Sequence, residues 1–224
     1  MKTKNCDAII LAAGKSKRFS KSTLKQYIKI DKKNIIDISI EKLKKISNIR
    51  HIYVMLQKSK TLKFNCSKNI FPLVGGKTRT ESVFNGLTHI DNINNHPNYV
   101  LIHDAARPCV ELLDIKKLFS NIKNMDGIAL GYPLTNALKK VDSKLKVTDN
   151  IAKDNYYLSF TPQLYKFAEL LNAYNVVFNK NIEVEDEIEA MTRSMFNVHI
   201  LSSSPKNIKL TYDTDIKTIA KLLK

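Results

Sequence analysis

Cysteine is scarce in this chain of 224 residues: Cys6, Cys66 and Cys109 stand far apart, with no C-x-x-C pair. That excludes a disulfide framework or a spaced zinc site and suits a reducing compartment. Long apolar runs are also missing. No stretch approaches the roughly 20 residues that span a bilayer. The run at 8–13 covers only about six residues, short of the roughly 7–15 of a signal-peptide core, and Lys15, Lys17 and Arg18 follow at once. The expectation is a soluble, cytoplasmic protein without membrane contact. Repeats and Pro/Gly-rich linkers are absent too, so a single α/β domain over 1–224, carrying insertions, is the simplest organisation.

Two nucleotide-binding fingerprints fail as well. Gly14-Lys15-Ser16 and Gly76-Lys77-Thr78 resemble the end of a P-loop, but Ile9 and Phe71 stand where that motif needs its first glycine. Of the dinucleotide pattern G-x-G-x-x-G, only Gly14 is present. Acidic residues are in deficit, with 21 Asp and Glu against 37 Lys and Arg, a formal charge of +16. Such a surface attracts nucleic acid, anionic membrane or small polyanionic substrates. A lysine-, asparagine- and isoleucine-rich composition, as an AT-biased genome produces, accounts for most of the lysines. A catalytically inert, basic nucleic-acid binder would gather its charge on one face with aromatic platforms. Here the nine Tyr and nine Phe fall mostly within apolar runs and the lysines are spread throughout, so no nucleic-acid partner is expected.

What is present is alternation. Residues 8–13 form a continuous apolar run ending at Gly14, the pattern of a strand buried on both faces. A helix is expected over 36–46, strands over 51–56 and 70–74, a helix over 80–87, and a strand over 99–103 ending at Asp104. A helix over 112–122 and a strand over 127–131 follow. From 134 to about 159 charges alternate with Leu138, Val141, Leu145 and Val147, which predicts a protruding β-hairpin arm. Helices over 164–173 and 185–195, strands over 198–201 and 208–210, and a helix opened by Asp213 complete the pattern. Strands alternating with helices predict a mostly parallel, twisted sheet flanked by helices. Ligands bind such sheets at the carboxyl ends of the strands. The Gly14 loop, the Gly75-Gly76 turn and Asp104 are therefore expected on one edge.

The chemistry expected there is that of a phosphate-rich ligand. Ala12, Ala13 and Gly14 lack bulk and let a ligand approach the backbone, whose successive N–H groups suit an anion nest. Lys15, Lys17, Arg18 and Lys25 add positive charge. Asp104, at the end of a buried strand, suits Mg²⁺ or another hard divalent cation. Arg107 reads either as a phosphate partner or as a salt bridge to Asp104, and His103 as structural.

Taken in order, Leu11-Ala12-Ala13-Gly14 with Arg18 and Lys25-Gln26, Val74-Gly75-Gly76 with Arg79 and Ser82-Val83, Ile102-His103-Asp104-Ala105-Ala106-Arg107-Pro108, Thr161-Pro162-Gln163 and Asn207-Ile208-Lys209 with Thr211 resemble one family. They are similar to the 2-C-methyl-D-erythritol 4-phosphate cytidylyltransferases, over roughly residues 7 to 222. The resemblance implies a Rossmann-like nucleotidyltransferase fold and transfer of CMP from CTP to that sugar-alcohol phosphate, with release of pyrophosphate. It implies catalytic roles for Arg18, Lys25 and Lys209, and substrate binding by Ala12, Ala13, Gly14, Gly76, Arg79, Ser82, Asp104, Arg107, Lys153 and Thr161, with Asp104 as the metal ligand. It also implies a homodimer in which the arm helps complete the partner's site. Three positions depart from the family pattern: Ala137 where threonine is usual, Lys153 where arginine is usual, and Glu185 where threonine is usual. All lie on the acceptor side, and lysine keeps the charge while losing the bidentate fork. Another acceptor, such as ribitol 5-phosphate, therefore stays open.

Overall fold

The computed structural model describes residues 5–16, 19, 23–61, 64 and 67–224. The expectations placed on Lys17, Arg18 and Cys66 lie outside the described residues. The chain opens with β1 (Cys6–Leu11). After the loop that follows, a single turn at Lys25–Tyr27 leads into β2 (Lys29–Ile30), β3 (Lys33–Asn34) and α1 (Ile35–Lys44). Next come β4 (Ile49–Leu56), α2 (Lys58–Thr61), β5 (Ile70–Val74), α3 (Arg79–Asn92) and β6 (Tyr99–Asp104). The second half comprises α4 (Leu112–Asn121), β7 (Gly127–Pro133), β8 (Leu138–Val141), β9 (Val147–Ile151) and β10 (Tyr157–Lys166). It ends with α5 (Phe167–Asn179), α6 (Glu187–Arg193), β11 (Val198–Ser202) and α7 (Asp215–Leu222).

Among the described residues the main sheet has seven strands in the order β11-β7-β10-β6-β1-β4-β5. β1 lies parallel to β4 and β6, β4 to β5, and β7 to β11, whereas β10 runs antiparallel to β6 and β7. The apolar run of β1 follows from helices covering both of its faces. Ala8 and Ile10 pack with Ile36 and Ile40 of α1 and Leu118 of α4. Ile9 packs with Val83 and Leu87 of α3 and Leu170 of α5. Residues on both sides of the pleat must then be apolar, and the alternation of a half-exposed strand disappears.

The structure moves two expected elements. Residues 164–166, expected at the start of a helix, belong to β10, and α5 begins only at Phe167. Leu164 and Tyr165 are both fully buried, and a short apolar run buried on both faces has no periodicity that separates strand from helix. Ile208–Leu210, expected as a strand, forms none; Leu210 N donates to Ala106 O at 2.9 Å instead. That bond belongs to a smaller core in which Ile30, Ile35, Ala106, Cys109, Leu210 and Ile219 pack together. It fastens the C-terminal segment beside the end of β6.

The arm is an antiparallel pair of β8 and β9, with Leu138 opposite Ile151. It is carried on a stem in which Pro133 of β7 faces Tyr157 of β10. No helix among the described residues is long and apolar enough to cross a membrane.

Candidate active site

Three chain segments leave the carboxyl ends of β1, β5 and β6 and enclose one cleft of about 980 Å³. The first follows β1. Ala12 N donates to Met55 O at 2.9 Å, so the loop leaves the sheet tied to β4. Buried Gln26 then clamps it, its Nε2 donating to Ala12 O at 2.7 Å and to Gly14 O at 3.2 Å. Gln57 Nε2 reaches Ala13 O at 3.3 Å. The carbonyls of the loop are thus drawn towards the protein. Among the described residues a Cβ built on Gly14 would meet no atom within 4 Å, so the small residue leaves space on the cleft side.

The second segment follows β5. Gly75 N donates to Leu56 O at 2.8 Å, and a Cβ on Gly75 would stand 2.5 Å from the Cβ of Ala13. The first two loops are therefore in contact because both are built of small residues. Thr78 caps α3 by accepting from Glu81 N at 3.1 Å. Ser82 Oγ donates to Thr78 O at 2.8 Å and accepts from Gly76 N at 3.0 Å. Its hydroxyl shapes the turn that carries Gly76 and Arg79 into the cleft.

The third segment is the end of β6. Asp104 N donates to Thr161 Oγ1 at 2.9 Å across the antiparallel neighbour β10. Lys209 Nζ donates to Asp104 Oδ2 at 2.6 Å. Arg79 Nε lies 3.7 Å from Oδ1 and Arg107 Nε 3.7 Å from Oδ2. Burial of Asp104 acts against its charge, but Lys209, Arg79 and Arg107 together outweigh it and hold the carboxyl well below the usual carboxylate range. Lys25 Nζ donates to Leu210 O at 2.6 Å, which ties the first loop to the segment carrying Lys209. Thus Ala12, Ala13, Gly14, Lys25, Gly76 and Ser82, with Arg79, Asp104 and Lys209, all line the cleft.

Three expected site residues lie elsewhere, and Arg18 is outside the described residues. Arg107 is off the cleft wall, its Nη1 donating to Asn207 O at 2.8 Å and its guanidinium over the Phe160 ring. It makes the ion pair with Asp104 that one of its two readings expects. Thr161 is buried behind Asp104. Lys153 is exposed at the foot of the arm, where its ammonium donates to Thr135 O. His103 is wholly buried beside Thr161 Oγ1; burial, opposed by Asp104, pushes its imidazole down to about 4 and keeps it uncharged near neutral pH.

Sequence reasoning passed over Gln26 as the clamp of the first loop and Glu187 as the partner of Arg79. Glu187 is fully buried, accepting from Arg79 Nη1 at 2.7 Å and Nη2 at 2.8 Å. Burial works against the charge of Arg79, but Glu187 and then Asp104 raise its affinity for the proton well above normal. The signal for Gln26 was its place next to Lys25. Glu187 stands in the stretch Glu185-Asp186-Glu187, where the family has Thr-Asp-Asp or Thr-Asp-Glu, but its partner lies 108 positions away and left no mark there.

A mostly parallel sheet whose small-residue loops bring Lys25, Lys209 and Asp104 together at its carboxyl edge has the site of a nucleotidyltransferase, where a phosphate-rich ligand lies at the strand ends. The family model for 2-C-methyl-D-erythritol 4-phosphate cytidylyltransferase, IspD, matches residues 6–224, and the chain belongs to that family. It is 31% identical over 220 residues to the Acinetobacter baylyi protein of that name, covering 96% of this chain and 92% of the relative. To the Buchnera aphidicola protein of that name it is 34% identical over 215 residues, covering 93% and 89%. The crystal structure of the Francisella tularensis cytidylyltransferase aligns with a TM-score of 0.84 at 30% identity, over 97% of this chain and 99% of that one.

Proposed function

We propose that this chain transfers CMP from CTP to 2-C-methyl-D-erythritol 4-phosphate, with release of pyrophosphate, in isoprenoid biosynthesis. The observation that carries the reading is the meeting of three strand-end segments, with Lys25, Asp104 and Lys209 on the walls of one cleft. A phosphate oxygen of the acceptor attacks the α-phosphorus of CTP. A new P–O bond forms, the bond to the bridging oxygen breaks, and its electron pair leaves with pyrophosphate. The attacking phosphate needs no proton removed, so the chain contributes position and charge.

Lys25, with Arg18, neutralises charge growing on the α-phosphate. Ala12, Ala13, Gly76 and Ser82 surround the cytosine, and Gly14 lets the phosphates approach the backbone. An ammonium carries three donors, so Lys209 can keep its bond to Asp104 and still reach the acceptor phosphate. The partner subunit's Lys153 adds a second cation there.

Mg²⁺ fits Asp104 in a limited way. Among the described residues no three His, Cys, Asp or Glu side chains gather to hold a metal. Asp104 Oδ1 stands beyond hydrogen-bonding distance of Arg79. One carboxylate, with the remaining ligands from phosphate and water, is the manner in which Mg²⁺ binds at nucleotide sites. When bound, the cation supplies charge neutralisation for the phosphates.

The arm supports a homodimer. Val141, Leu145, Val147, Tyr156 and Tyr157 are exposed along it and its stem, Leu145 at 80%, and Val141 pairs with Val147 across the hairpin, apolar surface that a second copy would cover. A cytoplasmic setting accords with the free, buried thiols of Cys6 and Cys109.

Pyrophosphate release from CTP with methylerythritol phosphate, with ribitol 5-phosphate and without acceptor tests the reading. Release with methylerythritol phosphate is expected. Release with the pentitol phosphate alone would replace the acceptor, and none with either would remove the reaction class.

A further inference from the structure

We infer that Glu187 is a positioning residue for cytidylyl transfer, one that turns Arg79 away from the phosphates and onto Asp104. Arginine in a phosphate cleft ordinarily offers its planar fork to phosphate oxygens. Here that fork is already taken. Both terminal nitrogens of Arg79 donate to the two oxygens of Glu187, at 2.7 and 2.8 Å. The Glu187 side chain is fully buried, and that of Arg79 is 25% exposed. Tyr174 Oη donates to Glu187 Oε1 at 2.9 Å. With the fork engaged, the Nε edge of the guanidinium is what faces Asp104 Oδ1, at 3.7 Å.

Both helices fix this geometry at their first residues. Arg79 opens α3 behind its cap Thr78, and Glu187 opens α6 behind its cap Asp186, whose Oδ1 accepts from Glu189 N at 3.1 Å. A second bond closes the approach of the two segments: Val184 N donates to Thr80 Oγ1 at 3.2 Å. Arg79 therefore cannot turn towards a ligand without leaving a buried carboxylate unpaired, which is costly. Its charge acts on CTP through Asp104, and Glu187 sets its direction.

The inference rests on the cytidylyl-transfer reading, and the test separates the two. Steady-state kinetics with CTP are compared for the parent, Glu187→Gln, Arg79→Met and the double variant, with thermal melts of each. Glu187→Gln keeps the side chain's shape but loosens the fork. Its kcat should fall ~10-fold, within the ~10²-fold that a misplacement of about 1 Å can cost. KM for CTP should stay level or fall, because the released guanidinium can then reach phosphate. A kcat within twofold of the parent, or a KM raised in step with the loss of kcat, overturns the inference.

In the Arg79→Met background, adding Glu187→Gln should change kcat less than threefold; a larger further loss means that Glu187 acts by another route and overturns it. The double variant carries no unpaired buried charge, and should either single variant fail to fold its kcat against the parent decides: a fall of about tenfold is expected, and a kcat within twofold of the parent overturns the inference. A parent inactive with CTP would sink the reaction reading, whereas an active parent indifferent to these changes sinks only the role of Glu187.

Discussion

Two buried aspartates mark opposite ends of the same sheet. Asp7 lies near the start of β1 and Asp104 at the end of β6, the strand paired with it in parallel. Both carboxylates sit among basic side chains, yet the arrangements differ. Arg50 closes on Asp7 as a fork, Nε to Oδ1 at 3.0 Å and Nη2 to Oδ2 at 2.9 Å, and its other donors go to Asn95. His51 stands 3.3 Å from the same carboxylate. Asp104 has one close cation, Lys209, and two guanidinium groups at 3.7 Å, and it faces the cleft. A closed fork spends its hydrogen-bonding capacity inside the fold. An arrangement held slightly apart at the mouth of a cavity keeps capacity for a ligand, and in a parallel sheet such a cavity belongs to the carboxyl edge.

The comparison is broken most sharply at Asp104. Asp104→Asn should cut kcat by roughly 10³-fold, the upper end for loss of one electrostatic group in a site, and should leave the protein folded. Activity within tenfold of the parent, measured as pyrophosphate release, would place the reacting phosphates elsewhere. Lys25→Ala comes next, with kcat lowered at least ~10²-fold as for loss of one transition-state donor. Turnover within threefold of the parent would reject that role. Lys25 also donates to Leu210 O, so a melt of the variant is needed to separate lost chemistry from a loosened C-terminal segment.

How far this contrast can be read from sequence depends on the range of the interaction. The Gly14 loop, the Gly75-Gly76 turn and Asp104 were legible because each ends an apolar run, and strand ends of a parallel sheet share an edge whatever the loops do. Lys209 was legible only through family resemblance. Its place beside Asp104 depends on the small core of Leu210 and Ile219, which seats a segment 105 positions away. The Arg50 fork on Asp7 and the Glu187 fork on Arg79 leave no periodic mark, since each is a single long-range pair. The strand-to-helix change at Lys166 was misplaced for a different reason. Burial on both faces erases the alternation that locates a strand end.

At the opposite end, Asp7→Asn should leave kcat within twofold of the parent and weaken the fold. Removing one partner of a buried ion pair costs about 3 kcal/mol or more, here with Arg50 left 20% exposed and partly solvated. Urea unfolding measures the loss. A variant as stable as the parent but slow in turnover would erase the division between a structural and a catalytic end of the sheet.

The finest version of the contrast uses two glycines. Gly14 stands in the first cleft loop, where a Cβ would meet nothing within 4 Å among the described residues. Gly127 begins β7, where a Cβ would fall 2.2 Å from the ring of Tyr165, itself fully buried. A methyl group at Gly127 must displace packed core and should cost about 1–3 kcal/mol, with KM for CTP unchanged. The same methyl group at Gly14 displaces no atom of the described residues. It should alter stability by less than ~0.5 kcal/mol, as at an open surface position, while raising KM for CTP by about tenfold, or ~1.4 kcal/mol of lost binding. Paired melts and CTP titrations of Gly14→Ala and Gly127→Ala check both halves. Were Gly14→Ala to bind CTP as the parent does, the open space above that glycine would not be where the nucleotide lies. The first loop would then owe its small residues to its contact with Gly75 alone.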